Sequence, residues 1–207
     1  LFTGDMTSTS GNEWEWEGWL NHGKEFLENN LFLSALGNHE LSGDASAAYY
    51  QSILTLPENT HGSELYYSFT YKNAVFICLN SSDPWSTEQY NWLLETLEAN
   101  KDAEWKIVWY HIPFLTSPAH VGEMEPFFDT WWKAFDDYGV DLIFNGHTHN
   151  YQRSVPLNMN VSETSAAEAY GDSPTEGRCQ IVTGGAGAGS HGAGTGWFIE
   201  TSTVGLH

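Results

Sequence analysis

Four short segments of the sequence carry side chains that can do chemistry. Asp5 follows Gly4, Asn38 and His39 follow Gly37, His111 follows Trp109-Tyr110, and His147 and His149 flank Thr148. Oxygen donors from Asp and Asn, combined with imidazole nitrogens, suit zinc, iron or manganese rather than a thiolate site. A carboxylate such as Asp5 can bridge two ions, which a neutral imidazole cannot. A histidine such as His39 can give up or take a proton near neutral pH. The combination reads as metal-assisted catalysis.

Taken singly, each residue has a plainer use. A lone His111 is most simply a hydrogen-bonded structural histidine, and Asn38 after a glycine is turn chemistry. Asp5 could cap a helix, and His147 and His149 could sit in a surface loop. Position argues against all four plain uses at once. Each segment falls at or just after the C-terminal end of an expected strand, the edge of an open α/β sheet where ligands bind. His120 lies in the loop after one of these strands, whereas His22, His61, His191 and His207 read as incidental. Rival chemistries lack their signatures. His39-Glu40 begins like the zinc-peptidase His-Glu-x-x-His, but position 43 is Gly, and the sequence has no Gly-x-Ser-x-Gly elbow and no Cys-x-x-Cys. Gly187-x-Gly189-x-x-Gly192 formally matches a dinucleotide fingerprint, yet Trp197-Phe198-Ile199 does not continue as a helix. The segment Gly184–Gly196 reads instead as a flexible loop near the active site.

The elements that must position these side chains follow from hydrophobic periodicity. Helices are expected at 13–29, with Trp16, Leu20 and Leu27 on one face; at 46–53, stopping before Pro57; at 87–100, with Tyr90, Leu93, Leu94 and Leu97 in a stripe; and at 127–138. Strands are expected at 31–36, 105–110, 140–144 and 180–183. Segments 66–70 and 74–80 form a hairpin around Lys72-Asn73, and Leu1-Phe2-Thr3 reads as the end of a strand. Strands and helices alternate, which implies one α/β layered domain over residues 1–207.

Composition narrows the partners. The 207 residues are 41% hydrophobic and include ten Trp, enough to bury a sizeable core. Acidic residues number 27 against 7 Lys and Arg, a formal charge of −20, although charged residues are only 16% of the chain. Such a surface repels nucleic acid, and it disfavours phosphorylated small molecules unless a cation sits where they bind. No apolar run approaches the roughly 18 residues of a membrane helix. The acidic, Lys-poor surface suggests a secreted or periplasmic protein. Cys78 and Cys179 allow at most one internal disulfide, and Cys78, in an apolar run, reads as a core residue. Asn80-Ser81-Ser82 and Asn160-Val161-Ser162 fit the glycosylation sequon, a short pattern with many chance matches.

Read in order, Gly4-Asp5, Gly37-Asn38-His39-Glu40, Trp109-Tyr110-His111-Ile112-Pro113 and Gly146-His147-Thr148-His149 resemble the motif set of the calcineurin-like metallophosphoesterases. The longer run Gly146-His147-Thr148-His149-Asn150-Tyr151-Gln152-Arg153 is similar to the Gly-His-x-His-x-Tyr-x-Arg of purple acid phosphatases. The resemblance runs from Asp5 to about Gly187, most of the chain. It implies a four-layer α/β/β/α sandwich with two metal ions at the sheet edge, divalent or mixed-valence iron, zinc or manganese. By the same resemblance Asp5 bridges both ions, Asn38, His111 and His147 hold the second, and His149 holds the first. His39 would face the substrate and protonate the leaving group, and His120 would contact phosphoryl oxygens or assist proton transfer.

The reaction implied is hydrolysis of a small-molecule phosphomonoester by in-line attack of a metal-activated hydroxide. A phosphodiesterase or nucleotide pyrophosphatase on the same scaffold, or a non-catalytic metal- or phosphate-binding module, are the other readings. The ions would supply the positive charge that the chain otherwise lacks. Two departures accompany the resemblance. The family's first motif, Asp-x-His or Asp-x-Gly, would precede Leu1, so the chain is expected to be a fragment lacking its N-terminal strand and binding about one ion by itself. Ser8 stands three residues after Asp5, where purple acid phosphatases place an iron-binding Tyr.

Overall fold

The alternating apolar segments of the chain pair into a single mixed sheet in the computed structural model, which describes residues 1–159 and 177–205. Seven strands, β1 (Tyr67–Tyr71), β2 (Ala74–Cys78), β3 (Trp105–Trp109), β4 (Leu142–Asn145), β5 (Tyr151–Ser154), β6 (Cys179–Thr183) and β7 (Ile199–Thr203), lie in the order β1-β2-β3-β4-β6-β5-β7. The central strands β2, β3, β4 and β6 are parallel, while β1 pairs antiparallel with β2 and β5 pairs antiparallel with β6 and β7. The period of two along each central strand makes two apolar faces. Val75, Ile77, Val108 and Ile143 face one core, which helix α3 (Thr87–Ala99) completes with Leu93 and Leu97, and the helical segment before and within α4 (Lys133–Asp137) completes with Trp131 and Phe135. Cys78 and Trp109 face the other core, completed by Trp16 of α1 (Glu13–Asn29) and Tyr50 of α2 (Ala48–Ile53). Each fully buried large side chain contributes about 1.5–3 kcal/mol, so both helical layers are held by the sheet. This is an α/β sandwich, with a helical layer on each face of the sheet.

Helix α3 matches its expected span because its stripe is buried and Ser86 caps it, its side chain accepting from the Gln89 N–H at 3.2 Å. Other segments differ. Of the face expected on α1, only Trp16 is fully buried, and Leu20 is 38% exposed. Segment 31–36 is not a strand: among the described residues its one β-bridge is to Phe2, parallel at Ser34, in which Phe2 N–H donates to the Leu33 carbonyl and Ala35 N–H to that of Phe2. The helix expected at 127–138 is broken into a 3-10 turn (Glu125–Phe127), a π-type turn (Phe128–Trp132) and α4. The adjacent Trp131 and Trp132 are both fully buried, and a widened turn lets two neighbouring residues point inward. Strands β5 and β7 were not expected, because the inward residues of β5 are polar and β7 is a half-exposed edge strand. Gln152 and Ser154 are buried by hydrogen bonding instead, Gln152 Nε2 donating to the Ser117 carbonyl and Ser154 Oγ accepting from the Gln180 N–H.

Both cysteines are free thiols, with Cys78 buried in the core as its apolar run suggests. Asn80 is buried too, so the sequon at Asn80 is not open to modification, and Asn160 lies outside the described residues. No helix among the described residues is long and apolar enough to cross a membrane.

Candidate metal centre

Two glycines allow the first two chemical segments to meet. Gly4 has φ +94°, and a Cβ there would lie 2.6 Å from the Gly37 nitrogen. A Cβ on Gly37 would overlap the backbone and carboxylate of Asp5. Across this contact the buried Glu40 acts as a clasp. Its Oε2 accepts the N–H groups of Asp5 (2.7 Å) and Gly37 (2.8 Å), and its Oε1 accepts that of Met6 (2.7 Å). Burial and the charge of Asp5 push the Glu40 carboxyl up, while the backbone donors pull it down. Asp5 itself sits at φ +62°, and His120 and His147 also have positive φ, making three of the five such non-glycine residues among those described. Backbone strain of this kind collects where a site dictates side-chain direction.

The strand ends then deliver the ligands. His111 follows β3, and His147 and His149 follow β4. The His111 Nδ1–H donates to the Thr3 carbonyl at 2.7 Å, which turns Nε2 toward the other segments. Around that nitrogen lie Asp5 Oδ2 at 2.9 Å, Asn38 Oδ1 at 3.0 Å and His147 Nδ1 at 3.1 Å. Three lone-pair atoms thus converge on one ring nitrogen that can offer them a single proton. A cation satisfies all four at once, so the residues fit a metal ion. Asp5, His111 and His147 are also one of two groups of metal-ligating residues among those described whose donor atoms lie within 4.8 Å of one another.

The second such group is His120, Glu123 and His147. Glu123 takes the Nδ1 of His120 at 2.7 Å and the Nε2 of His147 at 3.1 Å, and the two rings are 3.8 Å apart. With its Nε2–H given to the carboxylate, His147 presents the Nδ1 lone pair to His111, Asp5 and Asn38. His149 stands apart from both groups. Its Nδ1–H donates to the Gly189 carbonyl at 2.8 Å, and its ring stacks on His191 at 4.1 Å. It shares with Asp5, His111 and His147 a cleft of about 150 Å³ lined by no lysine or arginine.

Charge follows the geometry. Burial would lower His111, but the hydrogen bond and charge of Asp5 outweigh it and raise its pKa. Asp5 is correspondingly lowered against its own burial. His147 is held down to about 4 by burial and by the neighbouring His111 and His120, so its ring stays neutral near pH 7. His191 is lowered by burial and by His149 and His120.

A model of the calcineurin-like phosphoesterase family matches residues 1–151. The chain belongs to that family. Purple acid phosphatase 15 of Arabidopsis thaliana is 32% identical over 150 residues, covering 67% of this chain and 28% of the relative. A phosphoenolpyruvate phosphatase of Allium cepa is 29% identical over 190 residues, covering 82% and 39%. The chain therefore spans less than half the length of these relatives. The structure of purple acid phosphatase PPD1 from yellow lupin seeds superposes with a TM-score of 0.72 at 18% identity, over 99% of this chain and 40% of that one.

For a calcineurin-like phosphoesterase, the residues singled out in the sequence fall into place unevenly. Asp5, Asn38, His111 and His147 meet at one point. His39 adjoins it, its N–H on Asp5 Oδ1 at 3.0 Å and its Nδ1 on the Ser8 carbonyl at 2.7 Å. At position 8, then, it is the backbone that contributes. His120 joins through Glu123. His149 lines the cleft, but forms no group of three with Asp5 among the described residues. Glu40, Glu123 and His191 carried no assigned role in the sequence, and His191 in particular is not incidental: it sits against His149 and 5.3 Å from His120. Its place in the glycine-rich segment was the available signal.

Proposed function

We propose that this chain is the catalytic portion of a metal-dependent phosphoric ester hydrolase acting on small phosphomonoesters. The observation that carries the reading is the convergence of Asp5 Oδ2, Asn38 Oδ1 and His147 Nδ1 on His111 Nε2 within 2.9–3.1 Å, with His39 anchored to the same aspartate. Asp5, Asn38, His111 and His147 would hold one ion, and Asp5 and His149 would contribute to a second. When bound, such ions polarise a phosphoryl group and acidify water. The chain's own residues do the rest. His39 is fixed by two hydrogen bonds, with its Nδ1–H on the Ser8 carbonyl, that leave Nε2 free, and in its imidazolium form it would pass the Nε2 proton to the departing alkoxide oxygen. Glu123 holds the rings of His120 and His147 in register, and His120 keeps Nε2 for a phosphoryl oxygen.

Hydrolysis of a chromogenic phosphomonoester and the matching diester, each with and without chelator, tests this. Monoester turnover abolished by chelator and restored by metal is the expected result. Faster diester turnover would favour a phosphodiesterase. No turnover of either by protein carrying bound metal would make the site a binding module.

A further inference from the structure

The glycine-rich segment 184–196 is fastened to the loops that carry Ser117, His149 and Asn150. Asn150 Nδ2 donates to the Gly192 carbonyl at 2.7 Å, Thr195 N–H to Ser117 Oγ at 3.2 Å, and Gly194 N–H to Ser202 Oγ at 2.8 Å. Two of its glycines are required by close approach. A Cβ on Gly194 would lie 2.6 Å from the Ser117 carbonyl, and one on Gly184 would overlap that of Thr148. This fastening places His191 against His149, which lines the cleft. The His191 N–H donates to the His149 carbonyl at 3.1 Å, and its Nδ1 accepts the His149 N–H at 3.0 Å. A ring that accepts at Nδ1 carries its proton on Nε2. That Nε2–H has no partner among the described residues, although the ring lies 4.1 Å from His149 and 5.3 Å from His120.

A phosphoryl group needs N–H donors as well as cations, and the cleft offers no lysine or arginine in a chain of net charge −20. We infer that His191 is a substrate-binding residue, its Nε2–H donating to a non-bridging phosphoryl oxygen. The inference rests on the phosphoester reading above. It gives the glycine-rich segment a purpose: small residues let the backbone lie against Thr148 and Ser117 closely enough to bring one imidazole to the substrate.

Two substitutions separate the two nitrogens. His191→Asn keeps an acceptor where Nδ1 stood, so the segment stays joined to His149, but places nothing at Nε2. His191→Gln restores an N–H donor near Nε2. Metal content, inorganic phosphate affinity by calorimetry, and KM and kcat for a chromogenic monoester are measured on metal-loaded protein. The expected result for His191→Asn is unchanged metal content with phosphate affinity down roughly tenfold or more, the size of one lost bond to a charged acceptor, and KM up in parallel. His191→Gln should recover most of both. If His191→Asn binds phosphate as wild type does, the residue is only a loop anchor and the inference is overturned; it is overturned too if His191→Gln falls as far as His191→Asn, since the loss then does not follow the donor at Nε2. Wild-type protein that holds metal but neither binds phosphate nor hydrolyses the monoester would remove the phosphoester reading itself, and this inference with it.

Discussion

The backbone N–H of Asp5 donates to the Oε2 of Glu40 at 2.7 Å, tying together two loops that are 35 residues apart in sequence. The same carboxylate takes the N–H groups of Gly37 and Met6, and Glu40 is fully buried. The clasp holds Asp5 in its left-handed conformation with one carboxylate oxygen on the His39 N–H and the other on His111. Glu40→Ala would leave the backbone donors of Asp5, Met6, Thr7 and Gly37 without this acceptor. Stability should fall by about 2–4 kcal/mol, and metal affinity should fall with it. Denaturant titration and metal analysis check this; a change within about 0.5 kcal/mol would mean the clasp is dispensable.

Two glycine substitutions should act in opposite directions. Gly37→Ala forces a methyl into Asp5, and should cost about 1–3 kcal/mol or more and weaken metal binding. Gly18→Ala, inside α1 with open space at its Cβ position, should stabilise by roughly 0.5–1 kcal/mol and leave metal binding unchanged. Paired melting curves decide both.

His39→Ala should lower turnover by roughly 10²–10⁴-fold while metal content stays near that of wild type. The loss should shrink for substrates whose leaving group departs without protonation. Equal losses across good and poor leaving groups would show that His39 does not donate the proton.

In metal-free protein the Asp5–His111 pair should give stability a pH signature. Asp5 is lowered, so its contribution is present above its ordinary 3.8 and is lost as pH falls through the folded value. His111 is raised, so its contribution is complete below its ordinary 6.5 and is lost as pH rises through the folded value. The stability difference between wild type and Asp5→Asn should therefore be largest between 3.8 and 6.5 and diminish on either side. The comparison is needed because His147, held down to about 4, works the other way and costs stability as pH falls from 6.5. Chemical denaturation in chelator across this range measures it, and a flat difference would contradict the pairing.

How much was legible in the sequence depends on what each residue relies upon. Asp5, Asn38, His111 and His147 could be read because each follows an apolar segment, and strand ends on one edge bring such residues together whatever the loops do. The central strands β2, β3 and β4 could be read from their apolar residues. By contrast, β5 is buried through the hydrogen bonds of Gln152, Ser154 and their partners, and β7 is a half-exposed edge strand, so neither shows a hydrophobic period. Glu123 reaches His120 and His147 in a loop whose chain turns left-handed at His120, a turn that no periodicity signals. His191 reaches His149 across 42 residues by way of a glycine-rich segment whose path no local pattern encodes.

The central claim is that His111 Nε2 and the three atoms around it, Asp5 Oδ2, Asn38 Oδ1 and His147 Nδ1, are a metal site. The most direct measurement is equilibrium zinc or manganese binding against a competing chelator, comparing wild type with His147→Ala and with His61→Ala, whose ring lies against Glu88 and does not line the cleft. The account predicts wild-type affinity for His61→Ala, and a loss of roughly a hundredfold or more for His147→Ala in protein that remains folded by circular dichroism. Folded His147→Ala that binds metal as tightly as wild type would contradict it.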